Sequence, residues 1–127
     1  MKKSTKINID KNRETVRNIE KERKQLIQFL LSDCELVEGS YIELLVRCGK
    51  AGCHCEKKPV HPITKLSWYE KGVLKNKIVR VADRKWVKKL SDLYKNHKKA
   101  ISHLEKINET EKKALKPILK CKVKKYE

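Results

Sequence analysis

From Asp10 onward the apolar positions Val16, Ile19, Leu26, Leu30 and Val37 recur at heptad spacing, with Arg23 and Asp33 in the intervening seam positions. That stripe predicts a helix capped at its start by Asp10 and ended by Gly39, which can take the left-handed conformation of a C-terminal cap. Ile27, Leu31 and Cys34 widen the stripe into a face suited to a globular core. Residues 1–8 carry lysines without a periodic pattern, so a frayed arm is expected there.

The period then changes. Residues 41–46 are short and rich in β-formers, and residues 63–70 alternate well enough to be a strand. Lys71-Gly72 supplies turn chemistry before a run ending Lys77-Ile78-Val79-Arg80-Val81. A small antiparallel sheet of two or three strands follows. Alone it would be marginal, so a metal or a packed helix must complete it.

Asp83 can cap the next helix, whose seam is Trp86, Leu90, Leu93, His97, Ala100, Leu104, Ile107, Glu111, Ala114 and Ile118. The steps alternate four and three, and eight of these ten positions are apolar, which makes a heptad pattern. Trp86, first in the seam, is expected to anchor the core where helix meets sheet. Pro117 clashes with the carbonyl four residues earlier and is expected to stop or kink the helix near Lys116, leaving 121–127 as a basic tail.

Between the two helical patterns lies a stretch that ordinary folding does not explain: Cys48-Gly-Lys-Ala-Gly-Cys53-His-Cys55-Glu-Lys-Lys-Pro-Val-His61. Thiolate sulfur and imidazole nitrogen are preferred ligands of Zn²⁺, and four of them at tetrahedral positions make a closed structural site. Gly49 and Gly52 let the chain fold back so that the sulfurs converge. Lys50, Lys57 and Lys58 offset the negative charge that three thiolates bring. His54 competes with His61 for the fourth position. Redox or disulfide use, and a Cys-His nucleophile pair, are the other readings of the cluster; no orienting group or oxyanion site accompanies the latter. Cys34 and Cys121 read as small buried hydrophobes.

The fold class expected is therefore α+β, mainly α. An N-terminal arm and helix (1–38) and a long basic helix with its tail (84–127) form an antiparallel pair flanking a small zinc-stapled antiparallel β-sheet (39–83), the three parts making one structural unit. The C-terminal helix is longer than its partner, so its uncovered seam predicts a homodimer.

Charge then narrows the function. Lys and Arg exceed Asp and Glu by 17 over the 127 residues, and the last third holds 15 basic against 5 acidic residues. Such a field attracts polyanions, nucleic acid foremost and DNA more than RNA. Arg47, Lys50, His54, Lys57 and Lys58 place donors at the metal turn, and Lys88, Lys89, Lys95, Lys98 and Lys99 track along the helix. Trp68 and Tyr69 offer stacking surface, with Trp68 open equally to a core role. Lysine heavily outnumbers arginine in this set, which points to phosphate contact with weak sequence preference. No phosphate-cradling glycine loop, H-E-x-x-H or deaminase signature is present, so a binder is expected and not an enzyme. Accessory service to a recombinase or transposase, or to regulation, fits both charge and seam. The alternative is a dimeric coiled-coil adaptor that binds protein without nucleic acid. An anionic-membrane binder is disfavoured, because the helices lack a bulky aromatic face. No apolar run approaches a bilayer span, Met1-Lys2-Lys3 leads into polar sequence, and the clustered cysteines suit a reducing compartment, so a cytoplasmic location is expected.

The run Glu38-Gly39-Ser40-Tyr41 to Val46-Arg47-Cys48-Gly49-Lys50-Ala51-Gly52-Cys53-His54-Cys55, then His61 and Leu66-Ser67-Trp68-Tyr69, resembles a family of small uncharacterised archaeal and bacterial proteins that share a domain of unknown function. Its core is G-S…R-C-G-K-x-G-C-x-C…H-G-P-Y followed by a hairpin and a charged helix, and the resemblance covers about residues 38–110. The chain has His61-Pro62-Ile63 where that family carries His-Gly-Pro-Tyr. The resemblance implies a zinc-ribbon-like fold and retains Cys48, Cys53, Cys55 and His61 as its ligands.

Overall fold

The structure, a computed structural model, describes residues 3–126, with side chains from Asn8 onward. Helix α1 spans Lys3–Leu30, strand β1 Ser40–Val46, β2 His61–Glu70, β3 Val73–Ile78, and helix α2 Arg84–Lys122. Among these residues the protein is mainly helical, with a three-stranded antiparallel sheet between the two helices in chain order. Contacts divide the chain into two compact units, one of residues 1–33 with 97–127 and one of residues 34–96, and α2 contributes to both.

The first unit is a helical hairpin. Val16, Ile19, Leu26 and Leu30 on α1 and His97, Ala100, Leu104, Ile107, Ala114 and Ile118 on α2 are buried or half-buried, as the heptad spacing predicts, and the buried Ile9 extends the α1 seam one heptad before Val16. The polar seam positions answer each other: the Arg23 guanidinium lies 3.0 Å from the Glu111 carboxylate and donates to Asn108 Oδ1 at 2.7 Å. Glu22 pairs with His103, and the Phe29 and His97 rings lie 4.5 Å apart. Ascending α1 thus meets descending α2, which makes the pair antiparallel.

Several boundaries differ from the sequence reading. The helix is already formed at Lys3, so Asp10 is interior and not a cap; residues 1–2 of the expected arm lie outside the described residues. It ends at Leu30, eight residues before the expected limit, where Ser32 turns back and both its N–H and its hydroxyl donate to the Phe29 carbonyl. Polar capping of a carbonyl by serine competes with helix continuation. Ile27 and Leu31 are exposed and do not widen the seam, and Cys34 and Cys121 are exposed too, against the expectation that they are small buried hydrophobes. α2 runs through Pro117 to Lys122, and Pro117 is exposed on the outer side of the hairpin.

In the second unit the sheet is a meander in the order β1-β2-β3, with Val46 opposite His61 and Trp68 opposite Lys75. The Lys71-Gly72 pair forms the β2–β3 turn, both residues at positive φ, as expected of a tight hairpin. β3 ends at Ile78; Val79 is buried and its N–H donates to the Thr64 carbonyl at 2.9 Å. The first turns of α2 close this unit. The Val37 N–H donates to the Leu90 carbonyl at 3.2 Å, and the fully buried Ser91 hydroxyl donates to the Gly39 carbonyl at 2.8 Å. Gly39 therefore leads into β1 and ends no helix. A Cβ there would stand 2.7 Å from the Ser67 carbonyl, so only glycine permits the approach.

At the start of α2 the seam shifts phase. Val87 is buried and Trp86 is 51% exposed, because Val87 turns toward the sheet while the Trp86 indole N–H donates to Asp83 at 3.0 Å. The expectation that Trp86 anchors the core is thereby corrected.

Candidate metal centre

Paired strands deliver the cysteine loop to one place. β1 ends at Val46 and β2 begins at His61, its antiparallel partner, so Cys48 and His61 stand at the same end of the sheet. Gly49 and Gly52 both adopt positive φ, near +79° and +78°, and a Cβ at either would meet open space. Backbone conformation, not crowding, therefore requires glycine at these two bends. Across the second bend the Cys53 N–H donates to the Lys50 carbonyl, and beyond it a short 3-10 turn, His54–Glu56, swings Cys55 inward until it is 1% exposed.

The donor atoms of Cys48, Cys53, Cys55 and His61 all lie within 4.8 Å of one another. Cys48 Sγ is 3.4 Å from Cys55 Sγ, and Cys53 Sγ is 3.3 Å from His61 Nε2. A disulfide would bring two sulfurs to about 2.05 Å. Tetrahedral zinc with bonds of 2.0 to 2.3 Å sets its donors about 3.5 to 3.8 Å apart. The cluster is thus positioned to hold a metal ion, and three sulfurs with one imidazole are compatible with zinc.

The contest between histidines is decided by position. His61 is fixed in the first residue of β2, whereas His54 is exposed, with its Nδ1 3.9 Å from Cys53 Sγ and its ring 5.5 Å from that of His61. His54 stands beside the four donors and not among them.

Further groups hold the loop in shape. The Cys48 N–H donates to Cys55 Sγ at 3.3 Å, and the Gly52 N–H donates to the Glu56 carboxylate at 2.8 Å. Arg47 reaches the Lys57 carbonyl at 3.5 Å. The Lys50 backbone N–H, and then Cys55, lower the Cys48 thiol below its ordinary pKa. Cys55 goes the other way: the Cys48 N–H pulls its thiol down, but desolvation and the neighbouring Cys48 and Cys53 sulfurs raise it on balance. A divalent cation would reverse the repulsion among these sulfurs, since a coordinated thiol is deprotonated outright. The orienting role of Glu56 was not legible in the sequence; its only signal was a carboxylate directly after Cys55.

The residues expected to meet nucleic acid are distributed differently. Arg47, Lys50, His54, Lys57 and Lys58 surround the loop and are exposed, as are Lys88, Lys89, Lys95, Lys98 and Lys99 on α2. Trp68 and Tyr69, adjacent on one strand, point to opposite faces of the sheet and cannot share a stacking surface. Trp68 is half-buried on the face that meets α2, while Tyr69 is exposed on the other. The Lys88 ammonium lies 6.0 Å above the Tyr41 ring. Lys106, Lys113 and Lys120 continue from Lys99 at steps of seven, an exposed stripe the sequence reading did not single out as a unit.

No helix among the described residues is long and apolar enough to cross a membrane. No curated protein and no solved structure matches the chain. Residues 14–89, more than half of the chain and inclusive of the whole cysteine loop, match the family described as a domain of unknown function (DUF6788), and the chain belongs to that family.

Proposed function

We propose that the chain is a zinc-stapled nucleic-acid-binding protein that holds the phosphate backbone with weak sequence preference and performs no chemistry on it. Zinc in the Cys48, Cys53, Cys55 and His61 site would be structural, because four protein donors close the tetrahedron and leave no position for substrate. Its role would be to fix the loop joining β1 to β2, together with the cations Arg47, Lys50, Lys57 and Lys58 that the loop carries.

The observation that carries the nucleic-acid reading is the lysine stripe of α2. Lys99, Lys106, Lys113 and Lys120 recur every seven residues, are all exposed, and enter no ion pair among the described residues. They span about 32 Å at 1.5 Å per residue, a line of point charges suited to phosphates and not to base edges. A salt titration of the zinc-loaded protein against duplex DNA, single strands and RNA tests the reading. On duplex DNA, log K is expected to fall with log salt by about 0.9 per phosphate contacted, and Lys→Glu changes at 99, 106 and 113 to flatten that slope. Absence of binding at 50 mM salt, or binding indifferent to salt, would refute it.

A second reading rests on a different observation. The expected surplus of heptad seam is used within the chain, yet Ile101, Leu115 and Leu119 remain exposed on α2. A second copy or a protein partner docking on that flank would make the chain an adaptor. L115E with L119E would then convert a dimer into a monomer in sedimentation equilibrium.

A further inference from the structure

The chain has two tryptophans, and both line one cleft of about 260 Å³ in the unit of residues 34–96. Leu66 and Trp68 of β2 form one side, and Trp86 of α2 the other, with Lys77, Arg80 and Asp83 at the rim. Register explains the placement. Leu66 pairs with Lys77 and Trp68 with Lys75, so two lysines stand on the same sheet face as the Trp68 indole, one strand away.

Three features of this cleft are unusual for a packing defect. Trp86 is half-exposed although a burial position, Val87, is adjacent, so the indole is not used to fill the core. Its ring is instead held in place by the bond from its N–H to Asp83 Oδ1. The second carboxylate oxygen of Asp83 has no partner among the described residues and remains an acceptor. Lys75, Lys77 and Arg80 enter no ion pair there either.

We propose that this cleft is a nucleobase site, which takes one unpaired base of a single-stranded nucleic acid against Trp68 and Trp86 and places the adjoining phosphates on Lys77 and Arg80. The inference rests on the nucleic-acid reading above and gives it a substrate class, single strands over duplex. An aromatic wall suits any base, since every base has a π-face. The acceptor on Asp83 suits the amino group of adenine, cytosine or guanine, and the cationic rim suits the phosphates on either side. The volume is below the usual range for small-molecule pockets and matches a single ring system better than a larger ligand.

The two tryptophans make the test direct, because tryptophan emission, excited at wavelengths where the four tyrosines do not absorb, reports on this cleft alone. The zinc-loaded full-length chain is titrated with an eight-nucleotide single strand, with an abasic strand of equal length, and with a duplex, while anisotropy of a labelled end follows binding separately. The natural strand is expected to quench the tryptophans and to bind more tightly than the abasic one. W86A is expected to weaken binding of the natural strand by about fivefold or more and to leave the abasic strand unaffected. R80Q should lower the salt slope by about one for both strands. Equal affinity for natural and abasic strands without quenching would overturn the base site and leave backbone binding standing. Failure of every nucleic acid to bind would overturn both.

Discussion

Changing Cys55 to serine should uncouple the second unit from metal, and the size of the effect follows from the loop it closes. Cys55 is the most enclosed of the four donors and sits 3.4 Å from Cys48 Sγ and at the end of the Cys48 N–H. With one ligand missing, the remaining three no longer enclose the ion, and it is expected to be lost to solvent. The constraint lost is the closure of the 14 residues from Cys48 to His61, and cross-linking a loop of that length restricts the unfolded chain by about 3 kcal/mol. In a unit of 60 to 100 residues each kcal/mol moves the melting midpoint by about 4 to 8 °C, so a fall of about 12 to 24 °C is expected. Tryptophan fluorescence is the appropriate probe, because Trp68 and Trp86 both lie in the unit of residues 34–96, and ellipticity at 222 nm would be dominated by the helical hairpin. Native mass spectrometry should find one zinc on the wild-type chain and none on C55S. Chelator should lower the wild-type midpoint to that of C55S and leave C55S unchanged. A wild-type midpoint indifferent to chelator, together with a C55S midpoint equal to it, would refute the staple.

In chelator-treated, reduced protein, alkylation by iodoacetamide near pH 7.5 should reach Cys48 first and Cys55 last of the three clustered cysteines. The Lys50 N–H favours the Cys48 thiolate and the site is exposed, whereas Cys55 is raised and enclosed; peptide mapping that reversed the order would contradict the geometry. E111L alone should lower the 222 nm melting midpoint, because it removes the carboxylate that favours the charged Arg23 guanidinium and leaves Asn108 as that cation's partner in the seam. R23L with E111L should recover the midpoint toward that of the wild type, because no charge is then left facing the seam, and a double variant below E111L would count against the pairing. S91A should cost about 1 kcal/mol in the tryptophan-monitored melt through loss of the bond to Gly39, while G39A should cost more by forcing its Cβ against the Ser67 carbonyl. Equal midpoints for G39A and wild type would show that the strand start can shift.

The heptad register was legible because it is a one-dimensional signal repeated many times. Leu104, Ile107, Ala114 and Ile118 are spaced by the helix itself, and even the polar exceptions at Arg23 and Glu111 proved to be partners. Helix ends were less legible, since they depend on single competing bonds. Ser32 stops α1 by donating to Phe29, and nothing in the apolar stripe that continues to Val37 announces it. Pro117 illustrates the converse, a strong local breaker overridden in a helix whose buried seam, Ala114 and Ile118, holds on both sides of it.

The four candidate donors were legible for a related reason. Sulfur and imidazole concentrated in one loop have few uses, and the bends that bring them together demand glycine at two fixed places, so composition and spacing carried the same message. What the sequence could not convey was facing. Trp68 and Tyr69 are neighbours in the chain and read as one aromatic platform, but a strand turns successive side chains to opposite sides. Trp68 meets instead a residue 18 positions away, across the cleft, only because the buried neighbour Val87 rotates Trp86 out of the seam. That rotation depends on how the start of α2 lies against the sheet, which is fixed by the bonds from Val37 to Leu90 and from Ser91 to Gly39. The aromatic surface of this protein is therefore a product of tertiary packing. Its rim cations, Lys77 and Arg80, come from β3 and the segment that follows, outside the lysine-rich helix α2.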